Sequence, residues 1–314
     1  MKLILSSPLV AYARAAASSF LRAMTDNNGL SASGSKKGKL QRIILKMLRA
    51  REHQPDGLPT NTRFIYYELV QNGIVPKPRK EGTSGRRSDQ NTCEAVFWLR
   101  DKGLIPWDWI VDETRAVIAY RHAPSVLDYL KDAVPLARIN PWGDELPPVI
   151  LCESRSLAGV LRNVASEYLV QIAPTNGQCG GFLRTDVAPL LSPGQRVGYL
   201  GDQDLCGGQI GANTRKVLEE LIGDELYWHR IAITEQQVER HQLPVISKPD
   251  RRYKPARWHD AVETEALGQT FIVNLVREWL DRLLPEPIAD VRERERIEHA
   301  QIRAALARIA RRRS

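Results

Sequence analysis

The stretch from Val149 to Ile233 constrains this chain most, because short apolar runs there alternate with segments of helical periodicity. Val149-Ile150-Leu151 reads as a buried strand, Leu157–Ala165 as a helix, Tyr168–Ala173 as a strand and Phe182–Leu191 as a helix. Val197-Gly198-Tyr199-Leu200, Gly208–Ile222 and His229–Ile233 continue the series as strand, helix and strand. A βαβαβαβ order predicts a parallel sheet sandwiched by helices, because parallel strands need crossovers and the crossovers cover the faces. At 314 residues the chain has room for a second unit with its own core.

That second unit lies in front. Leu40, Ile43, Ile44, Met47 and Leu48 recur at helical spacing. A Pro/Gly loop follows, then a helix over Arg63–Asn72 that Thr60, Asn61 or Thr62 caps and Gly73 stops. A third helix over Asp89–Lys102, stopped by Gly103, precedes Leu104-Ile105 and Val117–Tyr120, which read as a short hairpin. Three helices and a β-wing describe a winged helix. Trp98, Trp107 and Trp109 read as packing residues of this unit, and none of the six histidines has metal-ligand spacing. The expected organisation is a flexible leader (1–35), the winged helix (36–123), a linker (124–147), the α/β domain (148–285) and a charged helical tail (286–314).

Charge follows these divisions. Residues 36–123 hold 17 Lys and Arg against 10 Asp and Glu, whereas residues 124–289 hold 17 against 22. A basic front on an acidic back suits a front that grips a polyanion and a back that holds cations. Lys77, Arg79, Lys80, Arg86 and Arg87 form a basic loop before the third helix, and Lys248, Arg251 and Arg252 a second cluster. Both suit phosphate contacts, which position a protein without reading sequence. Four scattered cysteines without a CxxC pair argue against a disulfide framework and for a reducing cytoplasm. No apolar run approaches the ~20 residues that a membrane-spanning helix needs.

In a parallel sheet, chemistry collects at the carboxyl ends of the strands. Two strands here run into acids: Val149-Ile150-Leu151-Cys152-Glu153, and Val197-Gly198-Tyr199-Leu200-Gly201-Asp202-Gln203-Asp204. If extended backbone persists, the period of two puts Asp202 and Asp204 on one side. With Glu153 they offer hard oxygen ligands for Mg²⁺, which neutralises charge on a scissile phosphate. Gly207 and Gly208 would let backbone approach a phosphate at the start of the next helix.

An acid after strand one and Asp-x-Asp-x-x-Gly after strand three resemble the Toprim domain of topoisomerases, primases and some nucleases. Thr175-Asn176-Gly177-Gln178-Cys179-Gly180-Gly181, Arg230–Thr234 with Leu243-Pro244, and Val262-Glu263-Thr264-Glu265-Ala266-Leu267 resemble segments of the topoisomerase VI A subunit. That family, with the meiotic double-strand-break transesterase, also sets a winged helix before the Toprim domain. Leu205-Cys206 and Ser154 depart from its usual pattern. The resemblance implies Mg²⁺-dependent cleavage of double-stranded DNA by a tyrosine, the second of an aromatic-Tyr pair, which here is Tyr67 in Tyr66-Tyr67. It implies too a homodimer in which each metal site serves the partner's tyrosine, and a separate ATPase subunit. A helical wheel puts Ile65, Tyr66, Leu69 and Val70 on the core face and leaves Tyr67 exposed. Two other readings stay open: a Toprim nuclease in which water attacks, and a non-catalytic winged-helix regulator.

Overall fold

The computed structural model describes residues 35–76, 88–111, 120–175, 180–250 and 257–311. Three helices build the front unit: α1 (Lys36–Arg51), α2 (Thr62–Gln71) and α3 (Ser88–Asp101). Ser35 caps α1 by accepting from the Gly38 N–H. Asn61 caps α2, its side-chain oxygen accepting from the amides of Arg63 and Phe64 at 2.9 and 3.0 Å. Ile44, Leu45 and Leu48 of α1, Ile65 and Leu69 of α2 and Val96 and Leu99 of α3 form one core. Leu104 and Ile105 form no strand, and Ile105 is buried in that core instead. Among the described residues of this unit the extended pairing is a single parallel bridge between Thr60 and Ile110. The rest of the expected hairpin, 117–119, and the basic loop from Lys77 to Arg87 lie outside the described residues. Of the tryptophans, Trp98 and Trp109 pack on this core as expected. Trp107 is exposed, under the Arg100 guanidinium at 4.2 Å.

The second unit is an α/β layer. Strands β1 (Val149–Cys152), β2 (Gln171–Pro174), β3 (Arg196–Leu200) and β4 (Tyr227–Ala232) form a parallel sheet in the order β2-β1-β3-β4. Helix α5 (Arg155–Tyr168) links β1 to β2, a helical segment over 180–190 leads toward β3, and α6 (Leu205–Ile222) links β3 to β4. β1 is buried throughout, as a central strand between two covered faces must be. Ile150 and Cys152 look into one apolar layer with α5, Ile272 and Val276, while Val149 and Leu151 look into the other with Val197 and Leu218. Helix α7 (Glu235–His241), the antiparallel pair β5 (Ile246–Asp250) and β6 (Arg257–Ala261), and helix α8 (Gln269–Asp281) complete the unit.

The stretch expected to be a linker is anchored. It holds helix α4 (Val126–Ala133), and Trp142 is buried, donating from Nε1 to the Tyr168 carbonyl at 2.7 Å. The terminal helix α9 (Ile288–Arg311) is docked at its start, where Glu295 accepts from the Ile139 amide at 2.9 Å and pairs with Arg138 and Arg292. No described helix is long and apolar enough to cross a membrane.

The two cores share α2. Its Ile65 and Leu69 face the front core, whereas Phe64, Tyr66, Tyr67 and Val70 belong to the core beneath the sheet. Polar contacts reinforce the junction. The buried Gln269 amide donates to the carbonyls of Asp56 and Pro59, both at 2.9 Å. Arg277 bridges Asp56 and Glu167. Gln269→Ala should therefore lower unfolding free energy by roughly 1–3 kcal/mol, since it strands part-buried carbonyls. Urea denaturation of the variant beside the parent checks this, and an unchanged midpoint would refute the coupling.

Candidate functional site at the strand ends

From β1 the chain passes to one edge of the sheet and from β3 to the other, so the crevice of this order opens between the carboxyl ends of β1 and β3. Glu153 and Asp202 stand on either side of it. The Glu153 amide extends the ladder to the Leu200 carbonyl at 2.8 Å, and Glu153 Oε2 accepts the Asp202 N–H at 2.9 Å. Arg230 fixes the turn by donating to the carbonyls of Gly201, Asp202 and Ile233 at 3.1, 2.7 and 2.6 Å. Gln203 exchanges two backbone hydrogen bonds with Val262, and Asp202 Oδ1 accepts from the Thr264 amide at 3.0 Å and hydroxyl at 3.2 Å. Asp204 directly precedes α6, which begins at Leu205 rather than the expected Gly208. Gly208 thus lies in the first turn, its N–H donating to the Asp204 carbonyl at 3.0 Å.

Among the described residues no three His, Cys, Asp or Glu side chains converge at ligating distance. Asp202 and Glu153 are turned to Thr264 and to backbone, so the expected ligands have no common focus. Their chemistry still suits a hard divalent cation, since all three offer carboxylate oxygen. The ground between them is also kept open by glycine. A Cβ at Gly201 would stand 2.9 Å from Glu153 Oε2 and 2.7 Å from the Tyr199 hydroxyl. That hydroxyl is buried and has no hydrogen-bond partner among the described residues. Glu153, Asp202 and Asp204 are the residues that would hold Mg²⁺.

Tyr67 corrects the sequence reading. It is 2% exposed, not solvent-facing, because the side of α2 opposite the front core packs on the helical turn Thr264–Leu267. A wheel drawn for one core cannot register a second. Its hydroxyl donates to Glu263 Oε2 of the same chain. Burial, and then the Glu263 carboxylate, push the phenol far above its usual pKa. One turn earlier on α2, Arg63 pairs with Glu263 at 2.5 Å and Glu265 at 3.4 Å. Glu265 is 1% exposed and also accepts from the Ser154 hydroxyl at 3.3 Å.

Arg63, Glu263 and Glu265 were not singled out as site residues from sequence. The signals for them were the Glu-x-Glu spacing after β6, inside the Val262–Leu267 segment that carries the resemblance, and an Arg one turn before Tyr67. Of the residues expected to bind nucleic acid, Lys77, Arg79, Lys80, Arg86, Arg87, Arg251 and Arg252 lie outside the described residues. Lys248 falls in β5.

Burial raises the Glu265 carboxyl above the ordinary range, against the opposing pull of Arg63. A carboxyl whose folded pKa is raised binds its proton more tightly in the folded state, so its contribution to stability falls as pH rises through that pKa. The stability advantage of the parent over Glu265→Gln should accordingly be larger at pH 5 than at pH 8 in paired urea titrations. The opposite order would show that Arg63 outweighs burial. Comparisons with protein-family models, with curated proteins and with solved structures found no match to this chain.

Proposed function

We propose that this chain cleaves double-stranded DNA in a Mg²⁺-dependent phosphotransfer, with Tyr67 as nucleophile and Glu153, Asp202 and Asp204 as metal ligands, in the manner of a topoisomerase VI A subunit. On this reading the front unit is a winged helix and the α/β unit a Toprim domain. The observation that carries it is the placement of Glu153 and Asp202 at the adjoining ends of β1 and β3, with Asp202 linked through Thr264 and Glu263 to the Tyr67 hydroxyl. Glu153 and Asp202, 49 residues apart in the chain, both reach the crevice between those strands.

When bound, Mg²⁺ supplies charge neutralisation at the scissile phosphate. Tyr67 forms the new O–P bond as the deoxyribose oxygen leaves and takes up a proton, and the phenolic proton passes to Glu263. Ordinary phenol and carboxylate pKa values, ~10 and ~4.3, make full prior transfer cost roughly 8 kcal/mol, so proton loss must accompany bond formation. Arg63 holds positive charge beside the oxygen that becomes an ester. The packing over Tyr67 must also open to admit the phosphate while the phenol stays beside Glu263, because a hydroxyl in a 2% exposed side chain cannot otherwise meet duplex DNA.

That same burial favours a second reading, a nuclease in which water attacks and Tyr67 only packs. Tyr67→Phe separates the two. Transesterification requires that this variant form no denaturation-resistant protein–DNA adduct, whereas Tyr66→Phe keeps it. Adduct-free cleavage by the parent, undiminished in Tyr67→Phe, establishes the nuclease. On either reading Glu153→Ala, Asp202→Ala and Asp204→Ala lose Mg²⁺-dependent cleavage in a plasmid-nicking assay while filter binding of DNA persists. Full cleavage by any of them at low Mg²⁺ would remove the metal assignment.

DNA binding on this proposal depends on the basic loop. Neutralising Lys77, Arg79, Lys80, Arg86 and Arg87 together should flatten the slope of log K against log[salt] by about 0.9 for each phosphate that the loop no longer neutralises. An unchanged slope in salt titrations would put the DNA elsewhere. Cutting both strands with one tyrosine per chain further requires a homodimer, and strand passage a separate ATPase subunit.

A further inference from the structure

Tyr199 occupies a place that phenylalanine would fill at lower cost. Its ring lies fully inside the sheet layer, tilted against Trp228 at 5.2 Å with the Arg230 guanidinium 5.6 Å from its centroid. Two glycines shape the slot. A Cβ at Gly211 of α6 would approach the ring edge to 3.0 Å, and one at Gly201 would strike the hydroxyl oxygen at 2.7 Å. The hydroxyl has no hydrogen-bond partner among the described residues. A stranded buried hydroxyl ordinarily destabilises a protein, and removing it ordinarily helps. The hydroxyl and Glu153 Oε2 both lie within 3 Å of the point where a Gly201 Cβ would stand, a notch across which no hydrogen bond joins them.

We infer that, when a divalent cation binds between the ends of β1 and β3, the Tyr199 hydroxyl closes onto Glu153 as its positioning donor. The inference rests on the metal reading of the three acids given above. A carboxylate that gives one oxygen to a cation is oriented by a hydrogen bond to the other, and losing such a supporting donor typically weakens metal binding by about 10- to 100-fold. Protonated at neutral pH, a phenol has a hydrogen to give and no charge to add. Gly201 is part of the device, since any side chain there would separate donor from acceptor. The Arg230 clamp on the Gly201 and Asp202 carbonyls keeps the notch in register with the sheet.

Mn²⁺ titration followed by the electron paramagnetic resonance of the free ion tests this without recourse to cleavage. Wild type, Tyr199→Phe, Gly201→Ala and Glu153→Gln are compared, each with its melting temperature. Tyr199→Phe should melt no lower than wild type and bind Mn²⁺ about tenfold more weakly or worse. Gly201→Ala should weaken binding likewise. A merely structural tyrosine would lower the melting temperature and leave the affinity of the folded fraction unchanged. Unaltered Mn²⁺ binding by folded Tyr199→Phe, with loss in Glu153→Gln, overturns the inference and leaves the metal reading standing. Equal binding by wild type and Glu153→Gln, or none by wild type, overturns both. Should Tyr199→Phe not fold, Gly201→Ala decides by the same criterion.

Discussion

Gln203 and Val262 exchange both backbone hydrogen bonds, at 2.9 and 3.0 Å, and thereby hold the segment after β6 against the segment after β3. Each bond alone is worth only about 0.5–1.5 kcal/mol net. Their effect is positional. Thr264 is brought to Asp202, and its neighbours Glu263 and Glu265 are carried to α2, where they meet Tyr67 and Arg63. Without that pairing the acids of the sheet and the hydroxyl of the front unit would have no common frame.

The crowd of carboxylates so produced is managed in two ways. Arg63 lends its charge to Glu263 and Glu265, one of them fully buried, but its own side chain is 41% exposed and its attraction is correspondingly screened. Arg230 spends its donors on three carbonyls, making the turn after β3 rigid. One half of the site is thus electrostatically paired from within the chain, and the other half is framed through its backbone. On the proposed reading the first half serves the tyrosine and the second the cation.

The alternation over 149–233 was legible because fully buried strands and amphipathic helices leave different periods in the sequence, and the parallel sheet followed from chain order. The position of Glu153 and Asp202 at the ends of β1 and β3 was legible because each closely follows an apolar run of strand length. Tyr67 was misjudged in exposure, since Phe64 and Tyr67 look like a polar-side excess until a second core is known to lie there. Glu263 and Glu265 gave little warning: the contact from Glu263 to Tyr67 spans 196 residues, and no local spacing encodes a meeting that distant. The start of α6 shifted toward Asp204 for a simpler reason. The glycines at 207 and 208 weaken a helix by about 1 kcal/mol each, yet do not stop it when the preceding carbonyl finds its amide.

The double claim on α2 bears on how the molecule can be divided. Sequence alone suggests a cut between residues 123 and 148, giving two portable modules. Such a cut would leave Phe64, Tyr66, Tyr67 and Val70 as a bare apolar face on the first fragment and an uncapped trough on the second. Each fragment would be prone to self-association through the newly bared surface. An exchange of front units between related chains would have to carry the trough-facing side of α2 from the recipient and the bundle-facing side from the donor. The natural seam of this protein therefore runs along the axis of one helix, not across a loop.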